Sequence, residues 1–396
     1  MERALTRLLR VKYMACAAML CTATALLTGA APVGAAQSST APIETVSVAV
    51  GRTAPLTALP NGASPQVRAA CGPALNEYDR TQACWLGTLV FTFYNQNRVK
   101  VGATTVGLVQ YIHLNARGKN WTEHDTVTSV APRGTTAPIF FTMTAGCGFP
   151  CVASAHFGGV ISVGDTGHVS YRDDIGEGTY HTTDTDYTLP FSAPPYVTIK
   201  IPVWNFGLPY RCDNGVAVTG TGCIFPAYKP DLDLSLKKYG AAAAMYLWAQ
   251  DNMKAHWGAY PYGGKLTRLK DNDLATKNQK KLCKGFRQIP TIGMPGDRDS
   301  CDEFPFAKTY QSGAGALGKA GGAGCVQAYA VRTADTGSVA EQWGNVAIQR
   351  RPNLRAPCIR GHIPETLNKG AGGAYGAFVN NQRVFNAEPF FLIVTA

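Results

Sequence analysis

The sequence is poor in charge. Asp, Glu, Lys and Arg make up 16% of its 396 residues, and acids are the scarcer sign, 26 against 37 Lys and Arg. Apolar residues stand at 45%, so a packed core is within reach and the composition is not that of a disordered chain. Most of the short patterns that announce an enzyme are missing. No two histidines sit at i, i+4 around a Glu, which removes the zinc-protease signature. There is no G-x-S-x-G elbow, which removes the common serine-hydrolase arrangement. The glycine-rich run 313–324 has one Gly-Lys, Gly318-Lys319, followed by Ala320. It lacks the Ser or Thr of a phosphate loop and reads as a flexible turn. No repeat of fixed period is present. One long apolar run exists, Tyr13 to about Leu27, and it is short for a bilayer span.

That run has the setting of an export leader. Arg3, Arg7, Arg10 and Lys12 precede it, and the small-residue exit 32–36 follows. This predicts a secretory signal peptide over 1–36, a secreted, extracellular protein, and no membrane attachment after removal. Twelve cysteines, less Cys16 and Cys21, leave ten. An even number in an exported chain predicts five disulfides. Sequence neighbours suggest Cys71–Cys84, Cys147–Cys151, Cys212–Cys223, Cys283–Cys301 and Cys325–Cys358, although spacing alone does not fix connectivity. Zinc would need paired ligands at finger-like spacing. Cys147, Cys151 and His156 come nearest and have no second half. Without the leader the net charge falls from +11 to about +8. A basic exported chain meets nucleic acid, anionic cell wall or a membrane surface, and charge does not choose among them.

Residues 37–70 are rich in Ala, Pro, Ser and Thr and read as a flexible leader. From 71 to 231 short β-like runs alternate with turns, at 86–94, 104–114, 138–144, 159–163, 168–172 and 196–204. They are rich in Val, Ile, Thr, Tyr and Phe. This predicts an antiparallel, sandwich-like accessory domain. Its histidines, His113, His124, His156, His168 and His181, read as surface or hydrogen-bonded residues. Composition changes near 232. An alanine-rich, helically spaced stretch at 234–256 predicts a helix. A second helix is expected over 273–283, with Asn272 or Asp271 as cap and Lys280 and Lys281 in its last turn. A strand at 326–332, a short helix at 371–379 and a final buried strand at 389–394 complete an α+β class.

The chemistry concentrates at 296–311, GDRDSCDEFPFAKTYQ. Adjacent acids with amides nearby suit a hard divalent cation. A hydrated metal beside a phosphodiester stabilises developing charge, and a carboxylate or histidine can deprotonate water. Cations such as Lys308, Arg360, Lys369 and Arg383 are placed to hold phosphates. On a strand, Asp302 shares a face with Phe304 and Phe306 while Glu303 points away. Both reach one metal only if the strand bends. Asp297 and Asp299 read as surface acids, and Cys301 as a staple.

The blocks CDEFPFAKTY (301–310), NKGAGGAYGAF (368–378) and NQRVF (381–385) resemble the secreted NucA/NucB deoxyribonucleases, over roughly 234–396. The resemblance implies a small α+β nuclease domain at 232–396, similar to the ββα-metal (His–Me finger-like) class. It implies a hydrolase cutting DNA, with RNA as a further substrate class, acting as a monomer with Mg²⁺ or Mn²⁺. Asp302 takes the base position, Glu303 is its acidic neighbour, and Asn368 with Glu303 lies at the metal. Lys308, Arg360, Lys369, Gln382 and Arg383 are the expected substrate-side residues. The acid that family members often carry before the Asn is Leu367 here, with Glu365 close by. A rival arrangement uses Arg360-Gly361-His362, which resembles the Arg-Gly-His of non-specific His–Me nucleases. His362 is then the base, and Asn380 or Asn381 binds metal. The alternative function is a non-catalytic extracellular module that binds cell wall or polysaccharide.

Overall fold

The computed structural model describes residues 44–52, 71, 78–216, 220–290, 296–313, 322–331, 345–348 and 353–396. The expected signal peptide, most of the 37–70 leader and most of the glycine-rich run lie outside them. One part of the leader is corrected: Thr45–Arg52, TVSVAVGR, is a strand, β1. Its alternating valines are the pattern of a half-buried strand, and Val46 is fully buried.

The strands that follow are β2 (Gln82–Tyr94), β3 (Lys100–His113), β4 (Asn120–Gly134), β5 (Phe140–Gly146), β6 (Cys151–Val160) and β7 (Thr166–Asp173). Shorter ones come next: β8 (Tyr180–Thr183), β9 (Asp186–Thr188), β10 (Phe191–Ser192), β11 (Val197–Thr198), β12 (Val203–Asn205), β13 (Tyr210–Asp213) and β14 (Gly222–Ile224). The main sheet runs β11-β1-β2-β3-β4-β7-β6-β5-β9-β12, with β10 on β5. An Ala193–Tyr196 bridge joins β10 to β11, and β11 pairs with β1 in parallel. The sheet therefore returns on itself as a barrel instead of forming two separate sheets. Phe91 packs on Phe191 and Phe93 on Tyr196, each with ring centroids 5.0 Å apart, across the closure. The long strand β4 was not expected, and the 196–204 run is split into β11 and β12.

The carboxy-terminal lobe contains β15 (Asp231–Ser235), α1 (Leu236–Asn252), β16 (Leu266–Thr267), α2 (Asn272–Leu282), β17 (Asp299–Phe304), β18 (Val326–Val331), β19 (Asn345–Ile348), β20 (Ile359–Pro364), α3 (Glu365–Asn381) and β21 (Pro389–Thr395). Ser235 caps α1 by accepting from the Lys238 N–H, and Asp271 caps α2 by accepting from Leu274 N–H, as short polar side chains do at helix starts. The buried run Ala241–Ala244 lets α1 lie close to the sheet β17-β20-β18-β19. Close approach also needs Gly361, where a Cβ would come within 2.3 Å of Met245 Sδ. Helix α3 starts six residues earlier than expected, at Glu365, where no side-chain cap marks its beginning. A second sheet, β15-β21-β16, has β21 at its centre. Mixed sheets with few helices make this an α+β protein. All five suggested cysteine pairs are bonded.

Among the described residues the two largest hydrophobic cores are drawn one from Val46 to Phe225 and the other from Leu232 to Leu392. A buried ionic seam joins them. Arg383 Nη2 lies 2.6 Å from Asp213 Oδ1, and its Nε donates to Asp213 Oδ2 at 3.1 Å. Glu388 meets Arg80 at 2.7 Å and Arg211 at 3.0 Å. Burial alone would raise the Glu388 pKa, but the Arg80 and Arg211 charges outweigh it and hold it below its usual value.

Candidate active site

Strand β17 pairs antiparallel with β20, with Cys301 opposite His362, Asp302 opposite Gly361 and Glu303 opposite Arg360. The strand does not bend to bring its acids together, so the alternation expected from sequence governs. Asp302 faces α1. It accepts a 2.6 Å hydrogen bond from the Tyr246 hydroxyl and a 2.9 Å bond from the Glu303 N–H. The Tyr246 ring packs on Phe304 and Phe306, at 5.3 and 5.1 Å. Burial pushes the Asp302 pKa up to about 7 against those two hydrogen bonds. Glu303 lies in the opposite layer, 3.7 Å from Cys283 Sγ. Burial, then the Asp302 charge, pushes its pKa up to about 8. Both carboxylates are buried, at 5% and 6% exposure.

β17 is an edge strand, and its free edge borders an open cleft of about 770 Å³. Lys280, Cys283 and Phe286 line one side, Glu365, Asn368 and Lys369 the other, with Ser300 and Cys301 between. Asn368 donates to Ser300 Oγ at 3.0 Å and to the Cys301 carbonyl at 3.2 Å. Glu365 accepts from Arg298 and Lys369, both at 2.6 Å, and Lys369, then Arg298, hold its pKa below the usual value. Asp297 is no loose surface acid: it accepts from Thr366 N–H at 3.2 Å in the first turn of α3. Nor is Asp299, which is 6% exposed. Its Oδ2 accepts from His362 Nδ1 at 2.7 Å and from Ile289 N–H at 2.9 Å. Phe286 lies over the imidazole, with ring centroids 4.3 Å apart. An imidazole fixed by a carboxylate directly under a cleft wall is an acid–base arrangement.

Of the residues expected at the site, Asn368 and Lys369 line the cleft, while Asp302 and Glu303 lie behind its wall. Arg360 is corrected to a structural role. It is buried, donates to Gln327 Oε1 at 2.6 Å, and ties down the carbonyls of Leu282 and Lys284 at 2.9 and 2.8 Å. Arg383 is fully buried in the seam. Gln382 and Arg383 follow the far end of α3, roughly 20 Å from Asn368 at 1.5 Å per residue. The same length separates His362 from Asn380 and Asn381, and Asn381 accepts from Arg117 instead. Lys308 sits by the start of α2, where Nζ donates to Asn272, and its carbonyl accepts from Tyr375. Sequence reading missed Asp299 as a partner for His362. The available signal was its position two residues before Cys301, hence on the same strand face.

Among the described residues, the close groupings of metal-capable side chains are Asp173–Cys212–Cys223 and Cys283–Cys301–Glu303. In each, the two sulfurs are bonded to each other, at 1.94 and 1.97 Å. They are not thiolates and cannot serve as ligands, so neither grouping is a metal centre. Compared with known proteins, the chain matches no family model, no curated protein and no solved structure.

Proposed function

We propose that the protein is a secreted endonuclease that hydrolyses DNA phosphodiester bonds in the cleft beside β17, with Mg²⁺ or Mn²⁺ as cofactor. The observation that carries this reading is the 2.7 Å Asp299–His362 pair under the cleft. It combines with the antiparallel pair of β17 and β20, with β18 and β19 between them in the chain, and with α3 directly after β20; β17 carries the start of the first motif block and α3 the second. Five disulfides fit an oxidising compartment. Among the described residues no helix is long and apolar enough to cross a membrane.

Asp299 accepts the Nδ1 proton of His362, which leaves Nε2 to take a proton from the attacking water. The water oxygen bonds to phosphorus as the ester oxygen departs. Phe286 covers the ring and lines the cleft, so it is the side chain that must shift to admit substrate. Lys280, Lys369 and Arg298 are the phosphate-side cations. The Arg298 and Lys369 pairs with Glu365 are solvent-exposed on the cation side, at 75% and 73%, and exposed pairs are weak enough to exchange for phosphate oxygens. Glu365 and Asn368 lie three residues apart on one helix face. They would supply the one or two oxygen ligands that a hydrated Mg²⁺ takes from protein. When bound, that ion supplies Lewis-acid stabilisation of the developing phosphate charge. In this assignment Glu303 drops out as ligand, and Asp302 yields the base position to His362.

The second reading is a non-catalytic wall- or polysaccharide-binding module. It is favoured by the burial of Asp302 and Glu303 and by Leu367, which packs against the second core. Incubating mature protein with supercoiled plasmid, with and without EDTA, separates the two. Metal-dependent nicking is expected, with His362→Ala reduced about 100-fold or more and Asp302→Asn close to wild type. No nicking by the wild type, together with retention on cell-wall material, favours the binding module. Loss of nicking in Asp302→Asn but not in His362→Ala returns the base to Asp302.

A further inference from the structure

One of the five disulfides differs from the others in its surroundings. Cys71–Cys84, Cys212–Cys223 and Cys325–Cys358 have both partners buried, and Cys147–Cys151 has one. Cys283 and Cys301 are both half-buried, and both line the open cleft beside β17. Their bond ties the residue that ends α2 to β17. Beneath it lies Glu303, a buried acid that the hydrolytic mechanism leaves unused, with one carboxyl oxygen 3.7 Å from Cys283 Sγ. Lys280 and Lys369 are exposed on the walls of the same cleft. The backbone around both cysteines is anchored without the sulfur–sulfur bond. Arg360 donates to the carbonyls of Leu282 and Lys284, on either side of Cys283, at 2.9 and 2.8 Å. Asn368 donates to the Cys301 carbonyl at 3.2 Å. The bond can therefore open without dislodging α2 from β17.

We propose that Cys283–Cys301 is a thiol–disulfide exchange site, at which a small anionic thiol of the glutathione class becomes attached to Cys301 inside the cleft. Exchange needs a thiolate that reaches one sulfur and a second sulfur that leaves. The incoming thiolate bonds to Cys301 Sγ as the Cys283–Cys301 bond breaks. The electron pair of that bond departs on Cys283 Sγ, which takes a proton from the Glu303 carboxyl. One disulfide replaces another, so the products are a mixed disulfide at Cys301 and a free thiol at Cys283. Glu303 then recovers its proton from solvent, and attack by Cys283 on the mixed disulfide reverses the step. The position of Glu303 decides the direction, because the sulfur beside the acid is the one that leaves. Its raised pKa, from burial and then the Asp302 charge, keeps that proton in place at neutral pH. Lys280 and Lys369 favour a thiol that carries carboxylates. The attached group lies beside Asn368, where the nuclease reading admits substrate. Closure of the cleft to DNA rests on that reading, whereas the exchange does not.

The test incubates the full mature chain, without denaturant and at neutral pH, with reduced glutathione. The reaction is quenched with N-ethylmaleimide and mapped by peptide mass spectrometry. Glutathione on Cys301 and maleimide on Cys283 of the same molecule are expected. They should appear at least about tenfold faster than label at any other cysteine, since buried bonds open only by local unfolding. At equal thiolate concentration and low salt, glutathione should react faster than the cationic thiol cysteamine, and salt should shrink the difference. Glu303→Gln should slow the exchange about tenfold, and an unchanged rate removes Glu303 as the proton donor. First opening at another disulfide, or no opening until denaturant is added, overturns the site. Glutathione on Cys283 with maleimide on Cys301 overturns the direction of attack, and a faster reaction with cysteamine overturns the anionic class. A wild type that never nicks plasmid leaves the mapping unchanged, so the two readings fail separately.

Discussion

In β4, Glu123 and Asp125 are two residues apart and share the inner face of the barrel. In β17, Asp302 and Glu303 are adjacent and face opposite layers. All four are buried, and burial raises all four pKa values. The one-residue difference in spacing decides what else they feel. Glu123 gathers donors: Tyr171 at 2.6 Å, Tyr187 at 2.9 Å and Gln110 at 2.9 Å. Asp125 has neither oxygen in a well-formed hydrogen bond, and after burial the Glu123 charge is what raises it further. The donors favour charge on Glu123 and offset part of its burial, whereas burial and then the Glu123 charge hold Asp125 well above the usual carboxylate range. Across β17 the acids share no donors, and each faces its own layer. The seam shows a third treatment, in which Asp213 and Glu388 are buried against arginines, and the Arg80 and Arg211 charges hold Glu388 below its usual value despite burial. Carboxylates close in sequence form a functional pair only when the strand gives them a common face, and even then a common face produces a shared proton as readily as a metal site.

The sharpest way to break this comparison is at the seam. Arg383→Ala leaves buried Asp213 with only the longer, 3.5 Å pair to Arg211 Nε and is expected to cost about 3–5 kcal/mol. The readout is the midpoint of urea unfolding with the disulfides intact. A loss under about 1 kcal/mol would show that arginine pairing there matters no more than a surface ion pair.

The β17 acids come next. Their folded-state pKa values are raised, so their contribution is complete below the unfolded value of about 4. It is lost as pH rises through about 7 for Asp302 and about 8 for Glu303. Wild-type stability should fall by a few kcal/mol over that window. Asp302→Asn, whose amide oxygen still accepts from Tyr246, should lose less. Parallel melting-temperature profiles for the two proteins between pH 5 and 8 would contradict the assignment. The smallest effect belongs to Asp125→Asn, which keeps the shape of a carboxyl whose ionisation burial and the Glu123 charge both disfavour and should change stability by under about 1 kcal/mol near pH 6. A larger loss there would mean that Asp125 carries the charge and Glu123 the proton.

The sequence disclosed whatever was local. The cap of α2, the alanine run and the five cysteine pairs depend on neighbours along the chain, and they were legible. β4 was not, because Glu123 and Asp125 fall where the alternation calls for apolar residues, and their donors come from other strands. The alternation across Asp302 and Glu303 was legible and decided the site geometry. The fate of the arginines was not. Arg383 looks like any phosphate-binding cation until Asp213, 170 residues away, is folded against it. The Asp299–His362 pair is similar: each residue was visible, but their meeting depends on the β17–β20 register.

The seam has a consequence for what proteolysis can do to the protein. Arg80 and Arg211 belong to the barrel and Glu388 to the last turns before β21, while Arg383 reaches back to Asp213. A protease that severs the chain at 226–230 removes one covalent link and none of these contacts. The nicked product should travel as a single particle in native electrophoresis and fall into two bands only in detergent, so cleavage there would change its connectivity while leaving the carboxy-terminal lobe tethered to the barrel.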